Sequence, residues 1–250
     1  MGTMIFNGVS TVDMGVVIQS PPVYEFPSPN YELVKIEGKS GDFIIDRDSY
    51  QNVRRTYYLA SVFRSNTSFV ANANSIVSWL MSARGYARLE DSYEPEYFRL
   101  AVFRDSGEMR NLYDKATTLE VSFDCKPQRF LKKGEEPFEI NTLNSYVRVV
   151  NPTNFIALPE ITIKGVGIEI DFFSGEDFAN PDKESITQIN FTTEGIIDSD
   201  LQDSYNSSEY LNNQVVMTNG FPKLYPGVNW IRVRGTTLEK CSIRPRWWTL

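Results

Sequence analysis

The sequence predicts a mainly β protein: an N-terminal β-sandwich-like part carrying one packed α-helix, then a C-terminal β-sandwich. Three observations carry this prediction. Short runs of aromatic and β-branched residues alternate with polar ones along the chain. Glycine, proline, asparagine and aspartate separate them at turn positions. One segment alone stands out for apolar residues at helical spacing.

Val34, Ile36, Phe43 and Ile45 alternate with polar residues on either side of Gly38-Lys39-Ser40-Gly41-Asp42, which reads as a hairpin over about 34–46. Val53 to Phe63 is long and aromatic enough for a full strand. Phe69, Ala73, Ile76, Val77 and Leu80 then fall at helical spacing, with Asn66, Thr67 or Ser68 as the cap and Gly85 just beyond the end. Trp79 sits beside this stripe and, with Leu80, reads as a core anchor. Tyr97 to Arg104, with Phe98, Leu100 and Val102 on one face, and Thr117 to Phe123 complete the first half. Residues 124–143 mix two prolines, a glycine, Lys132-Lys133 and Glu135-Glu136 with little periodicity, as a solvated connector does. The expected division is therefore 1–133, a linker at 134–143, and 144–250.

Beyond it, Tyr146 to Val150, Glu160 to Lys164, Ile168 to Phe172, Ser185 to Phe191, Gly195 to Asp198, Trp230 to Arg234 and Thr237 to Arg244 read as strands. Asn151-Pro152, Asn219-Gly220 and Pro226-Gly227 mark turns. Regular short strands of this kind indicate a sandwich or barrel, with Trp230 and Trp247 as core anchors.

Composition excludes several chemistries. The chain has 250 residues, no histidine, 25 basic and 32 acidic residues, and a net charge of −7. Without histidine there is no His-dependent triad, facial-triad iron site or His-ligated zinc. A pI near 4.9 argues against binding nucleic acid by phosphate neutralisation. Residues 1–133 carry 16 basic and 16 acidic residues and residues 134–250 carry 9 and 16, so the net charge belongs to the second half. Cys125 and Cys241 have no CxxC spacing and read as buried or half-buried thiols in a reducing compartment. The N-terminus lacks a basic segment followed by an apolar one, and no run approaches the roughly 18 apolar residues of a membrane span, so a soluble chain made in a cytoplasm is expected.

The remaining constellations are weak. Asp198, Asp200 and Asp203 lack the glycine and bidentate glutamate of a calcium loop and read as a self-bonded turn. Glu94 and Glu96 flank Pro95 and could be the pair that a carboxylate-dependent hydrolase needs, and two exposed carboxylates in a turn explain them as well. Lys164-Gly165-Val166-Gly167 reads as a turn, not a dinucleotide fingerprint. Arg244-Pro245-Arg246-Trp247-Trp248 reads as a closing strand, since an acidic surrounding works against phosphate steering. Trp230, Tyr225 and Tyr210 are aromatic platforms for a sugar, yet Asn151-Pro152-Thr153 lacks the arginine and the chain lacks the histidine of a galectin-type site. No metal or cofactor site emerges.

The order of motifs resembles the distal tail proteins (Dit family) of long non-contractile-tailed phages that infect Gram-positive bacteria. Ile5-Phe6-Asn7-Gly8-Val9-Ser10 with Met14-Gly15-Val16-Val17 is similar to the opening strand pair, and Ile36-Glu37-Gly38-Lys39-Ser40-Gly41 to the hairpin. The helix ending in Trp79-Leu80, then Arg88-Leu89-Glu90-Asp91, Tyr97-Phe98 and Val121-Ser122-Phe123-Asp124-Cys125-Lys126-Pro127, follow the first domain of the family. Asn151-Pro152-Thr153, Leu158-Pro159-Glu160-Ile161-Thr162-Ile163, Ile197-Asp198-Ser199, Phe221 to Asn229 and Ile243 to Trp247 resemble its galectin-like C-terminal sandwich.

The resemblance implies a non-enzymatic virion protein at the tail tip, without cofactor or membrane, assembled in the bacterial cytoplasm. It implies a homo-hexameric ring that joins the tail tube protein to a tail-associated (Tal-like) protein and to receptor-binding proteins, with DNA passing through unbound. Val34, Ile36, Gly38, Gly41, Phe43 and Ile45 are then expected at the ring contact. A carbohydrate-binding module on a virion or cell surface is the competing expectation.

Overall fold

The computed structural model describes residues 2–62, 69–104, 109–112 and 116–250. They form two units, Met1–Arg129 with Leu250, and Phe130–Thr249. The first unit contains β1 (Met4–Phe6), β2 (Val9–Ser10), β3 (Val16–Ile18), β4 (Pro29–Lys35), β5 (Asp42–Tyr50), β6 (Val53–Val62), α1 (Phe69–Leu80), β7 (Ala87–Asp91), β8 (Tyr97–Phe103), β9 (Met109–Leu112) and most of β10 (Ala116–Leu131). Its main sheet runs β2-β1-β7-β8-β10-β6-β3, with β9 beside β10, while β4 and β5 pair only with each other. The sheet curls until its ends meet. Gly2, ahead of β1, and Ile18 of β3 exchange backbone hydrogen bonds of 3.2 and 2.9 Å, which joins the free edge of β3 to the chain entering β1.

Inside the curl, Phe6, Tyr57, Leu59, Leu89, Val121 and Phe123 pack with Ile76, Trp79 and Leu80 of α1. The buried stripe of α1 is thus Ile76, Trp79 and Leu80, at i, i+3 and i+4. Val77, expected within it, is 40% exposed. The indole explains the rotation: Trp79 Nε1 donates to the Phe6 carbonyl at 3.1 Å and so turns its own face inward. Gly85 does not adopt the left-handed conformation expected of a cap. The cap candidates Asn66, Thr67 and Ser68, and Phe63 at the end of its strand, lie outside the described residues. Trp79→Phe, which keeps most of the packing but orphans that carbonyl, is expected to cost about 1–3 kcal/mol by urea unfolding.

β8 presents the opposite face from the one expected. Ala101 and Phe103 join the core, whereas Leu100 and Val102 are half-buried on the other side. Phe98, also on that side, is buried beneath the Arg88 guanidinium, 3.8 Å from its ring centroid. A cation covers this aromatic where a core would.

Residues 124–143 are not a loose connector. β10 continues through Pro127 to Leu131, and Pro127 is tolerated because pairing with β6 ends at Cys125. A 3₁₀ turn at Lys132–Glu135 follows, and Gly134 fits there because a Cβ would lie 2.4 Å from the Trp247 backbone nitrogen. Phe138 pairs with Ile243, and Ile140 is buried in the second core. The division between units falls at 129/130, inside a strand.

The second unit contains β11 (Phe138–Glu139), β12 (Tyr146–Asn151), β13 (Glu160–Val166), β14 (Ile168–Ser174), β15 (Lys183–Ile189), β16 (Gly195–Asp198), β17 (Asp203–Tyr205), β18 (Val215–Thr218), β19 (Gly227–Arg234), β20 (Thr237–Arg244) and β21 (Trp248–Thr249). Two five-stranded sheets, β11-β20-β13-β16-β17 and β12-β19-β14-β15-β18, enclose one core and form the expected sandwich. Trp247, Ile161, Ile163, Ile170, Phe172, Ile231 and Ile243 fill it. Gly167 turns β13 into β14 at φ +61°, so Lys164-Gly165-Val166-Gly167 is a hairpin segment as expected.

Cys125 and Cys241 are buried free thiols, and burial pushes each up to about 12. At about pH 8, neither should react with a disulfide reagent until guanidinium unfolds the chain. Rapid labelling of the native protein would contradict this.

Candidate assembly surface

The β4–β5 hairpin exposes apolar side chains on both of its faces. Val34 faces Phe43 across the strands, with Ile45 beside them opposite Glu32; Leu33 faces Ile44 on the other side. Leu33, Phe43 and Ile44 are 60%, 57% and 56% exposed, so neither face is a core face. Gly38 and Gly41 shape the turn at φ +78° and +85°, values that favour glycine. Arg47 and Glu32 form an ion pair, and Asn30 Nδ2 donates to Ser49 Oγ at 2.9 Å, which ties the two strands together.

Of the residues expected here, Val34, Phe43 and Ile45 lie together on one face, and Gly38 and Gly41 in the turn. Ile36 stands outside the strand, where the turn begins. Sequence reasoning missed Leu33, Ile44 and Tyr31 on the opposite face. The signal was present in the consecutive apolar residues Leu33-Val34 and Phe43-Ile44-Ile45, which a one-sided strand would not carry. It also missed Val23, Tyr24 and Phe26, exposed in the segment leading into the hairpin. Burying four such side chains would contribute about 6–12 kcal/mol gross, at roughly 1.5–3 kcal/mol each.

A buried ion network ties β6, β8 and β10 to the turn between β7 and β8. Arg55 reaches Asp91 at 3.1 Å and Glu94 at 3.3 Å, and also donates to the Val23 carbonyl at 3.2 Å. Arg99 and Arg129 reach Glu94 at 3.2 and 2.7 Å. Tyr57 donates to Asp91 at 2.7 Å, and the other Asp91 oxygen accepts the Tyr93 and Glu94 backbone N–H groups. Burial would raise the Asp91 carboxyl, but Tyr57 and Arg55 outweigh it and hold the group below its ordinary value. Glu94 is therefore occupied by three guanidinium groups, while Glu96 is exposed. The two carboxylates thus lie in different settings, one ion-paired and one exposed.

In the second unit, Trp230 is not a core residue. It lies half-buried on the outer face of β19 with Arg232 and Arg234, because Ile231 and Val233 take the inward positions. Its Nε1 donates to the Gly175 carbonyl at 3.2 Å, and Phe178 packs edge-on to its ring at 5.4 Å. Phe178 also stacks on Tyr146 at 4.2 Å. Arg232 and Arg234 both hold the fully buried Asp171, whose carboxyl is nevertheless raised by burial. The platform predicted at Trp230 is thus engaged by the chain itself. Tyr225 borders a pocket of about 260 Å³, whereas Tyr210 stands 72% exposed.

Asp198 is the expected self-bonded turn. One oxygen accepts the Asp200 and Leu201 N–H groups at 3.0 and 3.1 Å, and Arg246 holds both oxygens at 2.7 and 2.8 Å. Burial would raise this carboxyl too, but Arg246 and the backbone donors keep it low. Asp203 pairs with Asp198 across the β16–β17 ladder, and its side chain accepts from Asn212 at 2.8 Å. Arg244 is paired with Glu160 at 3.1 Å, and Trp248 stacks on Phe155 at 4.4 Å, so the C-terminal arginines and tryptophans serve packing.

Neither a protein-family model nor a curated protein sequence matches the chain. A solved structure does. The chain is similar to SPP1 Dit (gp 19.1), described as a paradigm of the hub adsorption apparatus in phages infecting Gram-positive bacteria, with a TM-score of 0.67, 13% identity and coverage of 97% of each chain. At that identity the common property is the fold, and this chain has the fold of a Dit distal tail protein over nearly its whole length.

Proposed function

We propose that the protein is a structural hub of a phage tail tip: six copies form a ring that joins the tail tube protein to a tail-associated (Tal-like) protein and to receptor-binding proteins. The carrying observation is the end-to-end fold likeness to a hub protein. The hairpin supports the ring, because a monomer would leave both of its apolar faces in water. The charge balance of residues 1–133 supports a channel through which DNA passes without adhering. Saturation of Glu94 by arginine supports a non-enzymatic role, and engagement of Trp230 by Phe178 weighs against the sugar-binding module. The ring assembles in the bacterial cytoplasm and ends in the virion.

Immunogold labelling of particles that carry this chain should decorate the distal end of the tail. Label on the capsid or along the tube would contradict the proposal.

A further inference from the structure

Two acidic residues of the second half, Asp203 and Glu209, line one cleft. Between Lys183 and Lys223 the sequence holds no basic residue and six acidic ones. Two of these are neutralised by basic residues from outside the stretch: Glu194 by Lys240 at 3.0 Å and Asp198 by Arg246. Glu184, Asp200, Asp203 and Glu209 have no ion-pair partner among the described residues. Asp203 and Glu209 line a cleft of about 370 Å³ together with Leu201, Tyr205, Asn206 and Tyr210. Leu201 and Tyr210, 61% and 72% exposed, are the most exposed large apolar residues described in this unit.

The cleft is preformed. Asn206 caps the Ser208 and Glu209 N–H groups at 2.8 and 3.0 Å, and Leu211 donates to the Ser204 carbonyl at 2.6 Å. Tyr205 and Tyr210 face each other across a β-bridge. A partner therefore meets two tyrosine rings, a leucine and unpaired carboxylates already in place, which lowers the ordering cost of binding. Aromatic faces beside carboxylates suit a cation on an aliphatic stem.

We propose that this cleft docks a protein other than this chain, seating an arginine or lysine side chain that lies next to an aliphatic one. Charge complementarity selects that occupant. The exposed hairpin tip of a second copy is a poor alternative, because Lys35 and Lys39 are offset there by Glu37 and Asp42. The inference stands apart from the ring proposal, since it uses no residue of the hairpin.

The test uses the full chain and three fluorescein-labelled peptides differing only at a central Arg-Leu-Arg, Gln-Leu-Gln or Glu-Leu-Glu, followed by anisotropy. The Arg-Leu-Arg peptide should bind by about 1 mM, at least about tenfold more tightly than the Glu-Leu-Glu peptide, and weaken as salt rises. Glu209→Gln and Tyr210→Ala alter exposed side chains and should each weaken it at least about fivefold with unchanged circular dichroism. No binding, equal binding of the acidic peptide, or binding indifferent to both variants would overturn the proposal. So would a change in the chain's own oligomeric state in either variant, which would make a second copy the occupant.

Discussion

Replacing Leu33 and Phe43 by glutamate, one on each face of the hairpin, is expected to leave a folded monomer and abolish the ring. Both side chains are exposed within the protomer, so the change costs the fold little. In the ring each would lose the burial of a large apolar group, about 1.5–3 kcal/mol, and place a carboxylate where water is excluded. A loss of at least about 4 kcal/mol per contact corresponds to roughly three decades in association constant. Size-exclusion chromatography with light scattering reads the result directly. An intact ring from the double variant would remove the hairpin from the interface. Lys39→Ala in the turn should leave assembly unchanged and serves as the control.

Asp91→Ala is the substitution expected to damage the fold itself most. It leaves Arg55, 3% exposed at its side chain, with only Glu94, itself shared with Arg99 and Arg129, as a carboxylate partner, and orphans the Tyr57 hydroxyl and two turn N–H groups. Removing one partner of such a buried pair costs about 3–5 kcal/mol. The pH dependence follows in sign. The folded Asp91 carboxyl lies below its ordinary 3.8, so its contribution is complete above that value and is lost as pH falls through the lower folded value. Asp198 acts in the same sense, and Asp171, raised by burial, in the opposite one. Asp91→Ala should therefore flatten the acid limb of a urea-midpoint profile below about pH 4. A profile parallel to that of the parent protein would show that Asp91 does not govern it.

These two sites differ in how far the sequence exposes them. The hairpin is local: Gly38 and Gly41 announce the turn, and the apolar residues lie within a few positions of it. Its two-sidedness is legible in the adjacent apolar residues Leu33-Val34 and Phe43-Ile44-Ile45, whereas simple alternation implies one buried face. The ion network is non-local. Glu94 acquires its meaning from Arg55, Arg99 and Arg129, which only the curling of β6, β8 and β10 brings together, so in the sequence it reads as one of two turn carboxylates beside Pro95.

Strand parity was the other limit. In β19, Trp230 outranks Ile231 in size, yet its face is fixed by pairing with β14, where Phe172 faces Ile231 and Phe173 faces Trp230. The same ambiguity reversed β8, because an arginine lid can bury Phe98 as thoroughly as a core does. Between residues 132 and 143 the charges dominate the local composition. Phe138 and Ile140, which tie this segment to the second sandwich, are too few to register as a periodic signal.

The central claim, that this chain closes into a six-fold ring, is tested most directly by native mass spectrometry of the purified protein. The account predicts a stable hexamer as the dominant species at micromolar concentration. A monomer that persists as the concentration is raised would contradict it.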